Sequence, residues 1–95
     1  MARFTVRPEH VERARRLVAD LVAEVRQHEP ATRVYESFQL WDTSSFVHVM
    51  TFADEAAEQR HRTAPYTRRF VDALYPLCET APVFSTLSLI ASNVR

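Results

Sequence analysis

The sequence contains no glycine and no lysine among its 95 residues. Without glycine, the chain cannot form a Walker phosphate loop, a GxGxxG dinucleotide-binding turn or a GxSxG nucleophile elbow, because each needs glycine at fixed positions. Without lysine, it cannot form a Schiff base with a carbonyl substrate or with pyridoxal phosphate. These two absences exclude several large classes of enzyme.

Cysteine and long apolar runs are also scarce. Cys78 is the single cysteine, which excludes an intrachain disulfide and predicts a packing role in a reducing, cytoplasmic setting. Apolar runs span only a few residues, and no signal peptide is recognisable, so we expect no membrane association. Twelve basic residues balance twelve acidic ones, which argues against nucleic-acid binding. The length suits one domain, residues 1–95.

The spacing of apolar residues predicts the order strand, helix, strand, strand, helix, helix, strand. The predicted strands are residues 2–7, 32–41, 46–52 and 83–92. The predicted helices run from Pro8 to the break at Pro30, from the N-cap Asp54 to about Arg62, and from Pro65 to about Cys78. This order is that of an α+β ferredoxin-like sandwich, with helices on one face of a four-stranded antiparallel sheet.

Two of the predicted strands, 46–52 and 83–92, are apolar on both faces. The helices can cover one face of the sheet, so the other face needs a different partner. A second copy of the chain, stacked sheet on sheet, is the simplest partner. We therefore expect a homodimer through the sheet face.

Several short motifs occur in a fixed order along the chain: Glu29-Pro30-Ala31-Thr32, Tyr35, Phe52-Ala53-Asp54-Glu55-Ala56-Ala57, His61, Pro65 and Phe70. This order resembles the antibiotic biosynthesis monooxygenase family over nearly the whole chain. The resemblance implies a dimeric α+β barrel. It also implies oxidation of quinols or anthrones by molecular oxygen without flavin or metal, although other members degrade haem and many have no established activity.

Three positions depart from the family pattern. Ala31 stands where members usually have glycine, Phe52 where many have tryptophan, and Met50 where many have an acidic residue. Met50 and Phe52 are predicted to lie beside His48 on one strand face. Loss of the carboxylate at Met50 favours a binding role over catalysis.

His61 and His48 are the candidate catalytic residues. A neutral imidazole accepts a phenolic proton near neutral pH, and a histidine at the position of His61 is common in the family. His61 could instead be a helix histidine bonded to a backbone carbonyl. His48 lies mid-strand among apolar residues and is either a buried histidine with a structural partner or a base or donor lining a pocket.

Aromatic side chains with polar tips suit flat polycyclic ligands, although at these spacings they also occur as plain core or interface. The candidate substrate-binding residues are Trp41, Tyr35, Tyr66, Met50, Phe52 and Phe70.

No metal or cofactor is expected. Glu58 and His61 have the Glu-x-x-His spacing of di-iron bundles, but such a site needs a second copy and two more carboxylates. Haem-degrading relatives have their axial histidine near the position of Val71, and no histidine follows His61 here. Molecular oxygen is the expected co-substrate.

The leading hypothesis is a cofactor-independent monooxygenase that oxidises an electron-rich aromatic, a hydroquinone or an anthrone-type polyketide intermediate, to a quinone. Two alternatives stay open: a non-catalytic ligand-binding or regulatory module, and a non-oxidative polyketide cyclase.

Overall fold

A four-stranded antiparallel sheet carries three helices on one face. The structure, a computed structural model, describes residues 1–94. The strands are β1 (Ala2–Thr5), β2 (Thr32–Gln39), β3 (Ser45–Phe52) and β4 (Val83–Phe84), in the spatial order β2-β3-β1-β4. The helices are α1 (Val11–His28), α2 (Glu55–Thr63) and α3 (Pro65–Leu74), with 3-10 turns at Pro8–His10 and Tyr75–Leu77. The predicted α+β ferredoxin-like fold is confirmed.

The hydrophobic core lies between the helices and one face of the sheet. Helix α1 buries residues at helical spacing, namely Ala14, Val18, Leu21 and Val25. Ala14 and Val18 belong to one cluster with Phe4, Val6 and Phe46, and Leu74 and Cys78 complete it. This cluster excludes water from the face on which β3 also carries His48.

Helix α2 begins at an N-cap that orients the following residues. The Asp54 carboxylate accepts a hydrogen bond from the backbone N–H of Ala57 at 2.8 Å. The helix then buries Ala57 and His61, which lie four residues apart and so on one face. The side chain of Ala57 is small, which leaves room for the His61 imidazole between α2 and the sheet.

The opposite face of the sheet carries several exposed apolar residues. Strand alternation directs Val34, Phe38 and Val83 away from the helices, and Phe38 and Val83 are 52% and 63% exposed. No part of residues 1–94 covers this outer face. The sequence predicted a sheet with one face left open by its own chain, and the structure agrees.

The prediction of a strand over residues 83–92 is wrong beyond Phe84. Strand β4 runs antiparallel to β1, with Ala2 opposite Phe84. Ser85 then exchanges two backbone hydrogen bonds with Met1, so residues 86–94 run past the neighbouring strand. A strand forms only where another backbone satisfies its hydrogen bonds. Residues 86–94 have no such neighbour in the described chain and therefore form no strand.

Other boundaries also differ from the predictions. Strand β1 ends at Thr5 and not at residue 7, and α1 begins at Val11, after the 3-10 turn at Pro8–His10. Helix α3 ends at Leu74 and continues as the 3-10 turn, where Pro76 lacks the N–H that a further helical turn requires. Strand β2 ends at Gln39, so Trp41 lies in the following turn and is fully exposed.

Candidate active site

Three side chains converge on the carboxylate of Glu29, the C-cap residue of α1. Thr32 at the start of β2 donates its hydroxyl at 2.6 Å, and Nδ1 of His61 lies 3.0 Å from Oε2. The phenol of Tyr66 on α3 donates to Oε2 as well. The side chains of Glu29 and His61 are only 7% and 8% exposed, so α1, β2, α2 and α3 meet at one buried carboxylate.

Glu29 stays ionised in this environment. Burial alone raises the pKa of Glu29, but hydrogen bonds from Thr32, Tyr66 and His61, with the charge of His61, together lower it. An ionised carboxylate only accepts hydrogen bonds, and the His61 nitrogen that faces it is Nδ1. A neutral imidazole accepts a proton at whichever ring nitrogen lacks the hydrogen.

His48 and Tyr35 form a second pair beside the first. Nδ1 of His48 lies 2.9 Å from the Tyr35 hydroxyl. His48 is buried, and its Nε2 has no hydrogen-bond partner within residues 1–94. Burial, followed by the proximity of His61, lowers the pKa of His48 to about 4. Burial, followed by the charge of Glu29, raises the pKa of Tyr35, so both members of the pair are neutral near pH 7.

Aromatic rings join the two pairs into one group of side chains. The Tyr35 ring centroid lies 5.2 Å from that of His61 and 5.4 Å from that of His48. The Phe52 ring lies 5.6 Å from His61, and the Phe70 ring lies 6.0 Å from His48. We call this group the imidazole cluster; its members are Glu29, Thr32, Tyr35, His48, Phe52, His61, Tyr66 and Phe70.

The structure brings together most of the predicted site residues. His48, His61, Tyr35, Tyr66, Phe52 and Phe70 all belong to the imidazole cluster. Met50 is half-buried on the same face of β3, opposite Tyr35 in the strand register. Trp41 lies outside the cluster, because β2 ends before it and the turn carries its ring into solvent.

The sequence reasoning missed Glu29 and Thr32 as site residues, although both stand in a motif that carried the family resemblance. One signal was present: Glu29 follows Val25 by four residues, so it continues the buried face of α1. A carboxylate on an apolar face needs a partner. The alternative expectation for His61, a bond from its ring to a backbone carbonyl, is wrong because its partner is this carboxylate.

Two grooves adjoin the imidazole cluster. The larger, about 950 Å³, lies between α1 and β2, where Tyr35, Ser37 and Phe46 form part of its wall. The smaller, about 430 Å³, lies between α1 and α3 beside Tyr66 and Phe70. His48 and His61 line neither groove; Tyr35 lines the larger groove and Tyr66 the smaller one.

Residues 1–94 contain no group of three or more histidine, cysteine, aspartate and glutamate side chains placed to hold a metal ion. None of the helices in this range is long and apolar enough to cross a membrane. Cys78 is buried in the core, where its thiol contacts the carbonyl oxygen of Leu74 at 3.5 Å. Burial raises the pKa of this thiol, which disfavours the reactive thiolate.

Comparison with known proteins assigns the family. The model of the family described as "Antibiotic biosynthesis monooxygenase" matches residues 1–73. The chain belongs to the antibiotic biosynthesis monooxygenase family. The resemblance seen in the sequence is therefore confirmed. No curated protein sequence matches this family member.

Solved structures share the fold over nearly the full chain. One, named an antibiotic biosynthesis monooxygenase, is 21% identical with a TM-score of 0.87, covering 95% of each chain. A Caulobacter crescentus protein named for the same family is 23% identical with a TM-score of 0.88, covering 95% of this chain and 86% of its own. A Mycobacterium tuberculosis protein is 20% identical with a TM-score of 0.82, covering 95% and 94%. At these identities the structures establish the fold alone.

Proposed function

We propose that this family member is a cofactor-independent monooxygenase that oxidises an electron-rich aromatic with molecular oxygen to a quinone. The substrate class is a hydroquinone or an anthrone-type polyketide intermediate. The observation that carries the proposal is the pairing of ionised Glu29 with Nδ1 of His61. In this proposal Nε2, the ring nitrogen that does not face Glu29, acts as the base among aromatic rings.

The reaction needs a base and a dry, shaped site more than it needs a cofactor. The base removes a proton from a phenol or an activated methylene of the substrate. The resulting anion gives one electron to oxygen, the two radicals combine to a peroxide anion, and the protonated base returns its proton to give a hydroperoxide. Loss of water then yields the quinone, so one oxygen atom stays in the product and the other leaves as water. Burial protects the reactive anion and radical from solvent.

His61 suits the base better than His48 does. With a pKa of about 4, His48 binds protons weakly at neutral pH and would be a poor acceptor for a phenolic proton. His48 instead holds the Tyr35 hydroxyl, and its Nε2 is available to a ligand. In this proposal His61 is the catalytic base, His48 is a hydrogen-bonding residue, and the surrounding aromatic rings orient the substrate.

The substrate would enter from the larger groove, because Tyr35 lines that groove and also contacts both imidazoles. Rotation of the Tyr35 ring would connect the groove with the imidazole cluster. Tyr66, Met50, Phe52 and Phe70 would then form the remaining walls around the bound ring system.

One observation favours a second candidate function, the ligand-binding or regulatory module. Neither imidazole lines a groove, as expected if the cluster only stabilised the fold beneath a binding groove. Such a module would gain thermal stability from a ligand without turning it over.

We further propose that the protein is a homodimer through the outer face of the sheet. The exposed apolar residues of that face support this assembly, as do Leu89 and Ile90 of the C-terminal segment, which are 82% and 97% exposed. A second copy would bury both sets of residues. The buried free thiol of Cys78 favours a cytoplasmic location.

Oxygen uptake by the metal-free, flavin-free protein tests the enzymatic proposal. Naphthohydroquinones and anthrones would be offered separately, and each rate would be compared with autoxidation. We expect uptake with quinone formation for at least one compound. A ligand-induced rise in melting temperature without uptake would indicate the binding module, and product formed without oxygen would indicate the cyclase.

A further inference from the structure

We infer that Glu29 is a positioning residue that fixes the Nδ1–H tautomer of His61, and that Thr32 and Tyr66 hold Glu29 in the orientation this requires. The inference deepens the proposed function, on which its consequence for catalysis rests. The tautomer itself can be measured without any substrate.

The contacts at Glu29 leave its carboxylate little freedom. Nδ1 of His61 lies 3.1 Å from Oε1 and 3.0 Å from Oε2. Thr32 donates to Oε1, and Tyr66 donates to Oε2. Rotation of the carboxylate would break at least one of these bonds, so the acceptor facing His61 is held from β2 and α3 at once.

The groups around His61 offer Nδ1 no other acceptor of comparable strength. The Tyr35 hydroxyl from β2 is engaged with His48 of β3. The phenol of Tyr66 from α3 keeps its proton, because burial and its bond to Glu29 raise its pKa, and it donates to the same carboxylate. The tautomer of His61 therefore depends on Glu29, since the partner of one ring nitrogen decides which nitrogen carries the hydrogen.

The chain offers a matched control one turn earlier on α1. Glu24 lies 3.3 Å from Nε2 of His28, and the side chains of this pair are 41% and 51% exposed. Glu24→Gln removes a negative charge from the same helix next to a histidine. It leaves the bonds at Glu29 in place, and solvent already competes for the exposed pair.

Long-range proton–nitrogen NMR spectra of the full chain test the inference through the ring nitrogens of His61. We expect wild-type His61 to show a protonated Nδ1 and an unprotonated Nε2 above its titration range. Glu29→Met, which keeps the volume and removes the acceptor, shifts His61 to the Nε2–H form. Tyr66→Phe removes one of the two hydrogen bonds that hold Glu29 and populates the Nε2–H form in part. Glu24→Gln retains the wild-type tautomer. A wild-type Nε2–H tautomer overturns the inference, and this measurement does not depend on whether any variant folds. An unchanged tautomer in a folded Glu29→Met variant overturns it too.

Kinetics separate this inference from the proposed function. If the protein is an oxygenase, Glu29→Met lowers kcat about 100-fold, the lower range for loss of general-base catalysis, while KM changes little. Oxygen uptake with an unchanged kcat in Glu29→Met contradicts the positioning role alone. A wild-type protein without oxygen uptake, but with the tautomer dependent on Glu29, contradicts the proposed function alone.

Discussion

At the scale of single residues, His48 and His61 are both buried, but their partners differ in charge. His61 faces the ionised carboxylate of Glu29, whereas His48 faces the neutral phenol of Tyr35. A carboxylate stabilises an imidazolium, and a phenol in an apolar environment does so far less. The two histidines therefore suit different roles, a proton acceptor and a neutral hydrogen-bonding group.

The depressed pKa of His48 predicts a loss of stability in acid. Between its usual value of 6.5 and about 4, the unfolded chain binds a proton at His48 and the folded chain does not. The free energy of unfolding therefore falls as pH decreases through this window, by about 3 kcal/mol in full. Urea unfolding at pH 7.5 and pH 4.5 measures the loss.

The control for this prediction is His48→Gln, which can still bond to Tyr35 but does not titrate. Glu29 has a lowered pKa in both proteins, and its contribution is lost only as pH falls through that lower folded value, so the comparison cancels it. We expect the variant to lose less stability in acid. An equal loss in both proteins would show that His48 is not the group responsible.

The sequence indicated which histidines face the interior, because alternation in β3 and helical spacing in α2 are local rules. It did not reveal that Glu29 is the partner of His61, since this contact joins residues 32 positions apart. The prediction for Trp41 is wrong for a related reason. Its exposure depends on where β2 ends, and a shift of two residues in that boundary moves the ring from the sheet into the turn.

At the scale of elements, the cap of α2 links local stability to the site. Asp54→Ala removes the carboxylate that accepts from the N–H of Ala57. We expect the free energy of unfolding to fall by about 1 kcal/mol. Asp54→Asn keeps a side-chain oxygen at the cap, and its free energy of unfolding should lie within a few tenths of a kcal/mol of the wild-type value. Denaturant titration measures both, and equal losses in the two variants would contradict the capping role.

Helices α1 and α2 could be predicted from the sequence, because their signals are local: Pro8 and a stripe of apolar residues for α1, and the N-cap Asp54 for α2. The length of strand β4 could not be predicted from the sequence, because it depends on how far β1 extends beside it. The apolar alternation over residues 85–92 is present in the sequence, but β1 pairs with only Val83 and Phe84. An alternating pattern therefore predicts that a segment can form a strand, but it does not predict whether another strand lies beside it to pair with.

At the scale of the whole molecule, the outer face of the sheet predicts self-association. We expect the full chain to sediment at twice its 11.0 kDa mass. Phe38→Asp places a charge at the exposed face, where Phe38 lies opposite Val47 in the register. Burying that charge in an interface is costly, so the variant should sediment as a folded monomer.

The matched control for the outer face is Arg13→Asp, which changes charge on the exposed side of α1. It should leave the sedimentation of the protein unchanged. A wild-type chain that stays monomeric at micromolar concentration would contradict the assembly, and so would a Phe38→Asp variant that remains dimeric.

The fate of labelled oxygen tests the central claim most directly. The metal-free, flavin-free protein would be given an anthrone under ¹⁸O₂, with His61→Gln and the surface variant Trp41→Ala beside it. We predict one ¹⁸O atom in the quinone and the other in water, formed by wild type and Trp41→Ala well above autoxidation and lost in His61→Gln. Unlabelled product, or labelled product at the autoxidation rate in every protein, would contradict the account of His61 as the base of a cofactor-independent monooxygenase.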